Sequence, residues 1–383
     1  MIISRRNILI GSSALFLLGK ASPIFADQKK KKNLIIIMLR GGMDGLTAVP
    51  LRNDNDLQIA RPDIFIKNLR QLNSDFNLHP KLKSFHTLWK KHQAAIVHAT
   101  NIPYTGRSHF DGQNLMQSGG IIPYQIKTGW LGRGIEVSEL QGLSLSLPMP
   151  LLLRGSLNPD NYFPSKWSLP NDNLLDIIKS SYKNEDQLYS TLDKIRSRPI
   201  SMTGMSSNLY KSRNLITLAK SAALQLSKKN GPRVAVFDIN GFDTHSAQGG
   251  SNGRHGSKLK EVDNIISQLK TNLGKNFENT LILTLTEFGR TVNQNGGYGT
   301  DHGFGSAILM AGGLIKSSQV YTDWPGLKKS NLFEGRDLKS TIDARSVYCS
   351  AMAVCFDIDF QFLKRKVFGN EPLENLTSKL FKI

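Results

Sequence analysis

Cysteine is nearly missing from this chain. Its 383 residues hold two, Cys349 and Cys355, both in an apolar stretch near the C-terminus. A disulfide framework is thereby excluded, and buried free thiols are the expected state. A zinc site built on thiolates is excluded too, because no second cysteine pair exists. Beyond residue 26 no run reaches 18 apolar residues. A membrane-spanning helix needs roughly 20, so none is expected in the mature chain. Aromatic residues are 8% of the total and are not interleaved with basic ones. Binders of single-stranded nucleic acid use such interleaving, so no specific nucleic-acid partner is expected. Internal repeats and low-complexity tracts are missing as well.

Acidic residues are in deficit. Thirty Asp and Glu stand against 49 Lys and Arg, a formal charge of +19. A field of that sign attracts polyanions and anionic membrane surfaces. The basic residues are spread along the chain, with one dense run at Lys29 to Lys32. That spread favours a solvated basic surface, or an anionic small-molecule or polymer substrate. Hydrophobic content of 39% and charged content of 21% indicate a globular chain rather than a disordered one.

The first 26 residues are expected to be an address. Ser4-Arg5-Arg6-Asn7-Ile8-Leu9 fits the twin-arginine pattern. The apolar stretch Ile8 to Leu18 follows, and Ile24-Phe25-Ala26 offers a small-residue cleavage site. The expected partner is the twin-arginine (Tat) export machinery, and the expected location is periplasmic or secreted. Loss of Arg5, Arg6 and Lys20 would leave the mature chain at +16.

Nearly continuous apolar runs occur at 33–40, 94–99, 233–239, 280–286 and 306–311. Such runs are expected of strands buried on both faces. Helical patterns lie between them, at 79–91, 108–118, 173–195, 207–228, 257–273 and 340–354. The alternation predicts an α/β domain with a largely parallel sheet covered on both sides. The stretch from about 129 to 205 is rich in Leu, Ser, Pro and Asn and has no clean run. It is read as a possible cap subdomain inserted in a single domain spanning 27–383, with a linker near 198–207.

Polar motifs follow the buried strands, and ligands of open parallel sheets bind beyond the strands' carboxyl ends. Glycines surround Asp44 after the first strand, which suits a hard oxygen ligand or, more plainly, a helix cap. Ser108, between Arg107 and His109, opens a helix; the helix dipole there suits a nucleophile attacking a phosphate or sulfate ester. Arginine's fork of donors matches tetrahedral oxyanions. Asp243 and His245 lie two apart beyond a strand, so both can reach one metal. Glu287 ends an apolar run and must be paired or metal-bound, Arg290 being the obvious partner. Five glycines flank Asp301-His302, and His302 is a natural ligand. Together these residue types suit a divalent metal that activates a nucleophile and neutralises an ester oxyanion.

The chain resembles the DUF1501 family of exported bacterial proteins. The residues that carry the resemblance are LRGGMDGL (39–46), LHPKL (78–82), GRSHFDGQ (106–113), GWLGR (129–133), FDINGFDTH (237–245), LTEFGRT (285–291), GTDHGFG (299–305), VYTDWPGL (320–327) and EGRDL (334–338). That family is similar to the alkaline phosphatase-like superfamily, which includes sulfatases. The resemblance implies a three-layer αβα sandwich with a mostly parallel central sheet. It implies Ser108 as nucleophile, Asp44 as first-strand ligand, Asp243, His245 and His302 on one metal, and Glu287 on another. The superfamily has an Asp-His pair where this chain has Glu287-Phe288, so His109 is expected to supply a missing ligand.

The expectation is an exported, metal-dependent hydrolase of phosphate or sulfate esters. Ser108 would attack, Arg107 or Arg290 would bind the nonbridging oxygens, and the metal would be zinc, manganese, calcium or magnesium. The alternative is a non-catalytic binding or assembly protein of the cell envelope that keeps the hydrolase fold.

Overall fold

The computed structural model describes residues 31–146, 148–156, 159–161, 171–182, 189, 192 and 214–383. The expected leader at 1–26 and the linker near 198–207 lie outside the described residues, as do parts of the helices expected at 173–195 and 207–228.

Nine strands form the main sheet: β1 (Asn33–Arg40), β4 (Ala94–Asn101), β5 (Gly142–Ser144), β6 (Asp160–Asn161), β7 (Val234–Asn240), β8 (Thr280–Leu285), β9 (Ser306–Ala311), β10 (Val320–Tyr321) and β11 (Ile342–Asp343). Two short strands, β2 (Arg70–Gln71) and β3 (Asn77–Leu78), pair apart from it. The spatial order is β10-β4-β9-β8-β1-β7-β5-β6, with β11 also on β4. β1 is central, pairing in parallel with β7 on one side and β8 on the other. Among the described strands of this sheet, β9 alone runs antiparallel to its neighbours, β4 and β8.

The helices are α1 (Gly45–Ala48), α2 (Asn55–Ala60), α3 (Lys83–Lys90), α4 (His109–Ser118), α5 (Trp130–Ser138), α6 (Asp172–Ser181), α7 (Leu215–Leu226), α8 (Arg254–Leu273), α9 (Ala344–Phe356), α10 (Phe360–Phe368) and α11 (Thr377–Leu380). Leu34, Ile36 and Met38 of β1 pack with Leu115, Trp130, Tyr348 and Leu363, from α4, α5, α9 and α10. The alternate residues Ile35, Ile37 and Leu39 pack with Phe85, Ala222 and Ile265, from α3, α7 and α8. A strand between two helical layers has no solvent face, so an unbroken apolar run fits it. The expected α/β sandwich, helices on both faces of a mostly parallel sheet, is the fold observed. Both cysteines lie on α9 as free, buried thiols, and burial pushes each up to about 12.

Part of the segment 129–205 is built into these layers. β5 pairs with β7, and Trp130 and Leu131 of α5 are fully buried in the core.

The topology gathers the motifs. β1, β4, β7 and β8 are mutually parallel in direction, so their carboxyl ends share one edge, and antiparallel β9 begins there.

One buried histidine makes stability depend on pH. His98, within β4, is fully buried, its Nε2 lies 2.9 Å from the Val49 carbonyl, and burial lowers its pKa from 6.5 to about 4. The unfolded chain then binds the proton more readily than the native one between those values. Stability is therefore complete above about 6.5 and falls as pH drops toward about 4, by on the order of 2–3 kcal/mol for this group. Urea unfolding at pH 7 and 4.5 should show this loss, and a folded His98→Gln variant should lose less. An identical loss in the variant would remove His98 from the account.

Candidate metal centre

Beyond β1 the backbone turns at Gly41, where φ is +115°. A Cβ there would stand 2.3 Å from the Asp243 backbone nitrogen. Glycine is required because the loop after β7 passes directly over this turn.

Asp44, expected as a metal ligand, points elsewhere. It is fully buried at the N-cap of α1. Its Oδ1 accepts from the Thr47 N–H (3.2 Å) and Arg61 Nη2 (3.2 Å). Its Oδ2 accepts from the Thr47 hydroxyl (2.6 Å), Arg61 Nη1 (2.7 Å) and Gln248 Nε2 (2.6 Å). Burial alone would push this carboxyl up; the Arg61 guanidinium outweighs it and holds Asp44 well below the usual carboxylate range. Both oxygens are filled, so the first-strand acid is a structural ion pair.

The residues that do converge are His109, Asp243, His245 and His302. His109 is the first residue of α4, Asp243 and His245 follow β7, and His302 precedes β9. One ligand atom each from His109, Asp243 and His302 lie within 4.8 Å of one another. His109 Nε2 is 3.2 Å from Asp243 Oδ2, while His302 Nε2 (3.2 Å) and His245 Nε2 (3.1 Å) face Asp243 Oδ1. The Nε2 atoms of His245 and His302 are 2.9 Å apart.

The far nitrogen of each ring is already held. His109 Nδ1 meets Glu287 Oε1 at 2.9 Å, His245 Nδ1 meets Asp301 Oδ1 at 3.0 Å, and His302 Nδ1 meets the Arg107 carbonyl at 2.8 Å. A carbonyl only accepts, so His302 carries its proton on Nδ1, and the two carboxylates assign the same tautomer to the others. In the neutral rings the three Nε2 atoms then present lone pairs to the Asp243 carboxylate, and those of His245 and His302 also to each other. Such acceptors repel one another unless a proton or a metal cation lies between; the Glu287 carboxylate beside His109 raises that ring's pKa, which favours its protonated form when no metal is bound. His109 Nε2 is also buried without a hydrogen-bond partner among the described residues. Zinc ligands about 2.0–2.2 Å from the ion at tetrahedral angles stand roughly 3.3–3.5 Å apart, close to the separations here. The donor set fits one divalent ion, and carboxylate-backed imidazoles are a usual second layer around such ions.

The remaining expected residues support this cluster from outside. Glu287 is fully buried behind His109, accepting also from the Gly41 N–H (2.7 Å) and Gln113 Nε2 (3.1 Å). Burial would raise its pKa, but these hydrogen bonds, His109's first, bring it below the ordinary value. Arg290 pairs not with Glu287 but with Asp243, Nη2 to Oδ1 at 2.8 Å, and is itself buried. Asp243 is exposed; partial desolvation would raise its pKa, yet Arg290 and the neighbouring imidazoles keep it low. Arg107 turns its guanidinium to Glu334 (2.6 Å) and Asp337 (2.7 Å), while the Nε and Nη1 of Arg290 are buried with no hydrogen-bond partner among the described residues.

Ser108 is the N-cap residue of α4, and its side chain makes no cap hydrogen bond among the described residues. It stands between two residues tied to the cluster, Arg107 through its carbonyl and His109 through its ring.

Sequence reasoning gave Asp301, Asn295 and Gln113 no role. Asn295 Nδ2 donates to Asp301 Oδ1 (3.0 Å) and to the His245 carbonyl (2.9 Å), fixing the carboxylate that fixes His245. The Asp-His dipeptide at 301–302 was the available signal: its acid serves a histidine 56 residues upstream.

A family model described as "Protein of unknown function (DUF1501)" matches residues 217–358. Its span includes the loops bearing Asp243, His245, Glu287 and His302, but not α4. No curated protein matches the sequence. Among solved structures, the chain is similar to murine ectonucleotide pyrophosphatase / phosphodiesterase 5, an inactive form in complex with AMP. Identity is 9%, with 91% of this chain and 100% of that one covered, and the TM-score is 0.44. For PsFucS1 sulfatase from Pseudoalteromonas sp. the values are 12%, 94%, 74% and 0.39. For the C-terminal periplasmic domain of EcEptC from Escherichia coli, complexed with Zn, they are 8%, 74%, 73% and 0.35. At this level of similarity none of them says what this chain binds or does.

Proposed function

We propose, starting from the match of residues 217–358 to the DUF1501 family model, that this protein is an exported hydrolase of phosphate or sulfate esters built on a single metal ion. The observation that carries the reading is the meeting of three imidazole lone pairs with the Asp243 carboxylate. His109, Asp243, His245 and His302 would hold the ion. Three nitrogen donors favour zinc over calcium or magnesium, which prefer all-oxygen sets. Bound there, the metal would supply Lewis acidity and positive charge beside the ester.

The chain's own residues do the rest. Ser108 is the nucleophile: its hydroxyl oxygen bonds to phosphorus or sulfur from the amino end of α4, the alcohol of the ester leaves with the serine proton, and water then cleaves the seryl ester to release the phosphoryl or sulfuryl group and restore Ser108. Backbone N–H groups of the first turn of α4 point toward the oxyanion at the positive end of the helix dipole. Arg107 positions His302 through its carbonyl and gives its guanidinium to Glu334 and Asp337, and Arg290 holds Asp243 through Nη2 alone. Ser108→Ala should lower turnover of aryl phosphates, phosphodiesters or aryl sulfates by at least about 100-fold while metal content stays whole. Unchanged turnover would remove the proposed nucleophile.

A second reading, a binding or assembly protein that keeps the layered fold, is favoured by one observation. Asp44, Glu287, Arg107 and Arg290 all spend their charges on other protein groups. Full metal occupancy with no turnover of any of the three ester classes would support it.

A further inference from the structure

The loop joining α4 to α5, residues 119–129, holds an apolar tip out to solvent. Ile121 is 49% exposed, Ile122 54% and Tyr124 47%, and Phe110 at the start of α4 is 82% exposed. The Tyr124 N–H donates to Asn114 Oδ1 at 2.8 Å, and Asn114 lies one helical turn beyond Phe110. The loop therefore folds back along α4, bringing these side chains toward one face. The tip is firmly mounted. Gly119 ends α4 at φ +73°, its N–H donating to the Leu115 carbonyl at 2.8 Å. Contiguous exposed apolar groups of this kind mark an interaction surface.

Cations border the tip. Lys127 is exposed on the same loop, and Arg365 and Lys366 are exposed in the last turn of α10. That turn lies against the loop's base: the Phe368 ring would be 2.9 Å from a Cβ at Gly119, and Arg133 Nη2 donates to the Val367 carbonyl at 2.6 Å. Of the acids nearby, Asp111 accepts from the Tyr104 hydroxyl (3.3 Å) and keeps its charge, and Glu371 shares Arg345 (3.2 Å) with Asp343. The whole chain carries +19, or +16 without Arg5, Arg6 and Lys20 of the expected leader. Among the described residues no helix is long and apolar enough to cross a membrane.

We infer that this face docks on an anionic lipid bilayer. Ile121 and Ile122 enter the boundary between headgroups and acyl chains. Phe110 and Tyr124 lie at headgroup level, where rings with one apolar and one wet side are at home. Lys127, Arg365 and Lys366 meet the lipid phosphates. His109 follows Ser108 and precedes Phe110, so docking brings the metal centre to the headgroup plane. If the hydrolase reading holds, lipid headgroup esters become its substrate class; the docking itself does not depend on that reading.

The test is co-sedimentation of the full mature chain with phosphatidylcholine vesicles, with and without phosphatidylglycerol. Binding is expected with phosphatidylglycerol only, falling with salt. The double variant Ile121→Asp/Ile122→Asp should bind at least about tenfold more weakly, with circular dichroism and metal content unchanged. Lys127→Glu/Arg365→Glu/Lys366→Glu should also bind more weakly and lose most of the salt dependence. No binding to phosphatidylglycerol vesicles would overturn the inference. So would full binding by the isoleucine variant, which would assign attraction to diffuse charge. A wild-type dimer in solution that this variant dissolves would overturn it too, because a second copy would then cover the face. Aryl-ester turnover measured without vesicles reads the hydrolase proposal separately.

Discussion

His302→Ala should empty the metal centre and leave the fold standing. Its imidazole Nε2 lies 3.2 Å from Asp243 Oδ1 and 2.9 Å from His245 Nε2, so its loss removes one of four donors. Removing an outer partner of a ligating histidine typically lowers metal affinity by about 10–100-fold, and loss of a donor itself should exceed that range. Asp301→Asn supplies the comparison. It leaves a neutral carboxamide near His245 Nδ1 in place of the charged carboxylate that now accepts at 3.0 Å, so a loss of about 10–100-fold is expected. Asp243→Ala is the poorer probe, since it also strands the buried Arg290 guanidinium. Metal affinity measured by chelator competition ranks the variants. Thermal melting gives a second reading: a ligand at 100 times its dissociation constant stabilises by about 2.7 kcal/mol, so zinc should raise the melting temperature of the wild type but not of His302→Ala. Equal affinity in both proteins would dissolve the proposed centre.

Strands β1 and β9 have the bounds that their apolar runs announce, Asn33–Arg40 and Ser306–Ala311. A strand enclosed by two helical layers writes its length into composition. The direction of β9 is not written there, because an antiparallel strand buried on both faces has the same content as a parallel one. That direction matters, since it is what carries Asp301 and His302 to the common edge. β5 and β6, three and two residues long, give too little periodicity to detect in a Leu- and Ser-rich stretch. At the site, the four converging residues all lay in motifs visible along the chain. Glu287 was read as needing a partner, and the partners it has are His109 and Gln113, 178 and 174 residues away. Arg107 looked free for an oxyanion because Glu334 and Asp337, which occupy it, lie 227 and 230 residues downstream. Local spacing announces which groups can bind; tertiary neighbours decide which of them already do.

Asp44 is where those two kinds of information disagree most, and its replacement has the largest expected effect on stability. An acid between glycines after a buried strand suits a metal ligand and a helix cap equally well. The structure chooses the cap, with Arg61 against both carboxylate oxygens and each side chain about 2% exposed or less. Removing one partner of a buried ion pair typically costs about 3–5 kcal/mol, because the other charge is left uncompensated. Asp44→Ala should therefore lower the urea midpoint strongly while the folded fraction binds metal as the wild type does. Replacing both residues by apolar groups, Asp44→Ala with Arg61→Met, should cost less than the sum of the single changes, since no charge is then stranded. Asp44→Asn separates the two roles: it keeps the shape and an acceptor for Thr47 but weakens the contact with Arg61. If that variant stays folded yet loses its metal, Asp44 is a ligand after all; if it retains metal and loses stability, the acid after β1 serves the scaffold.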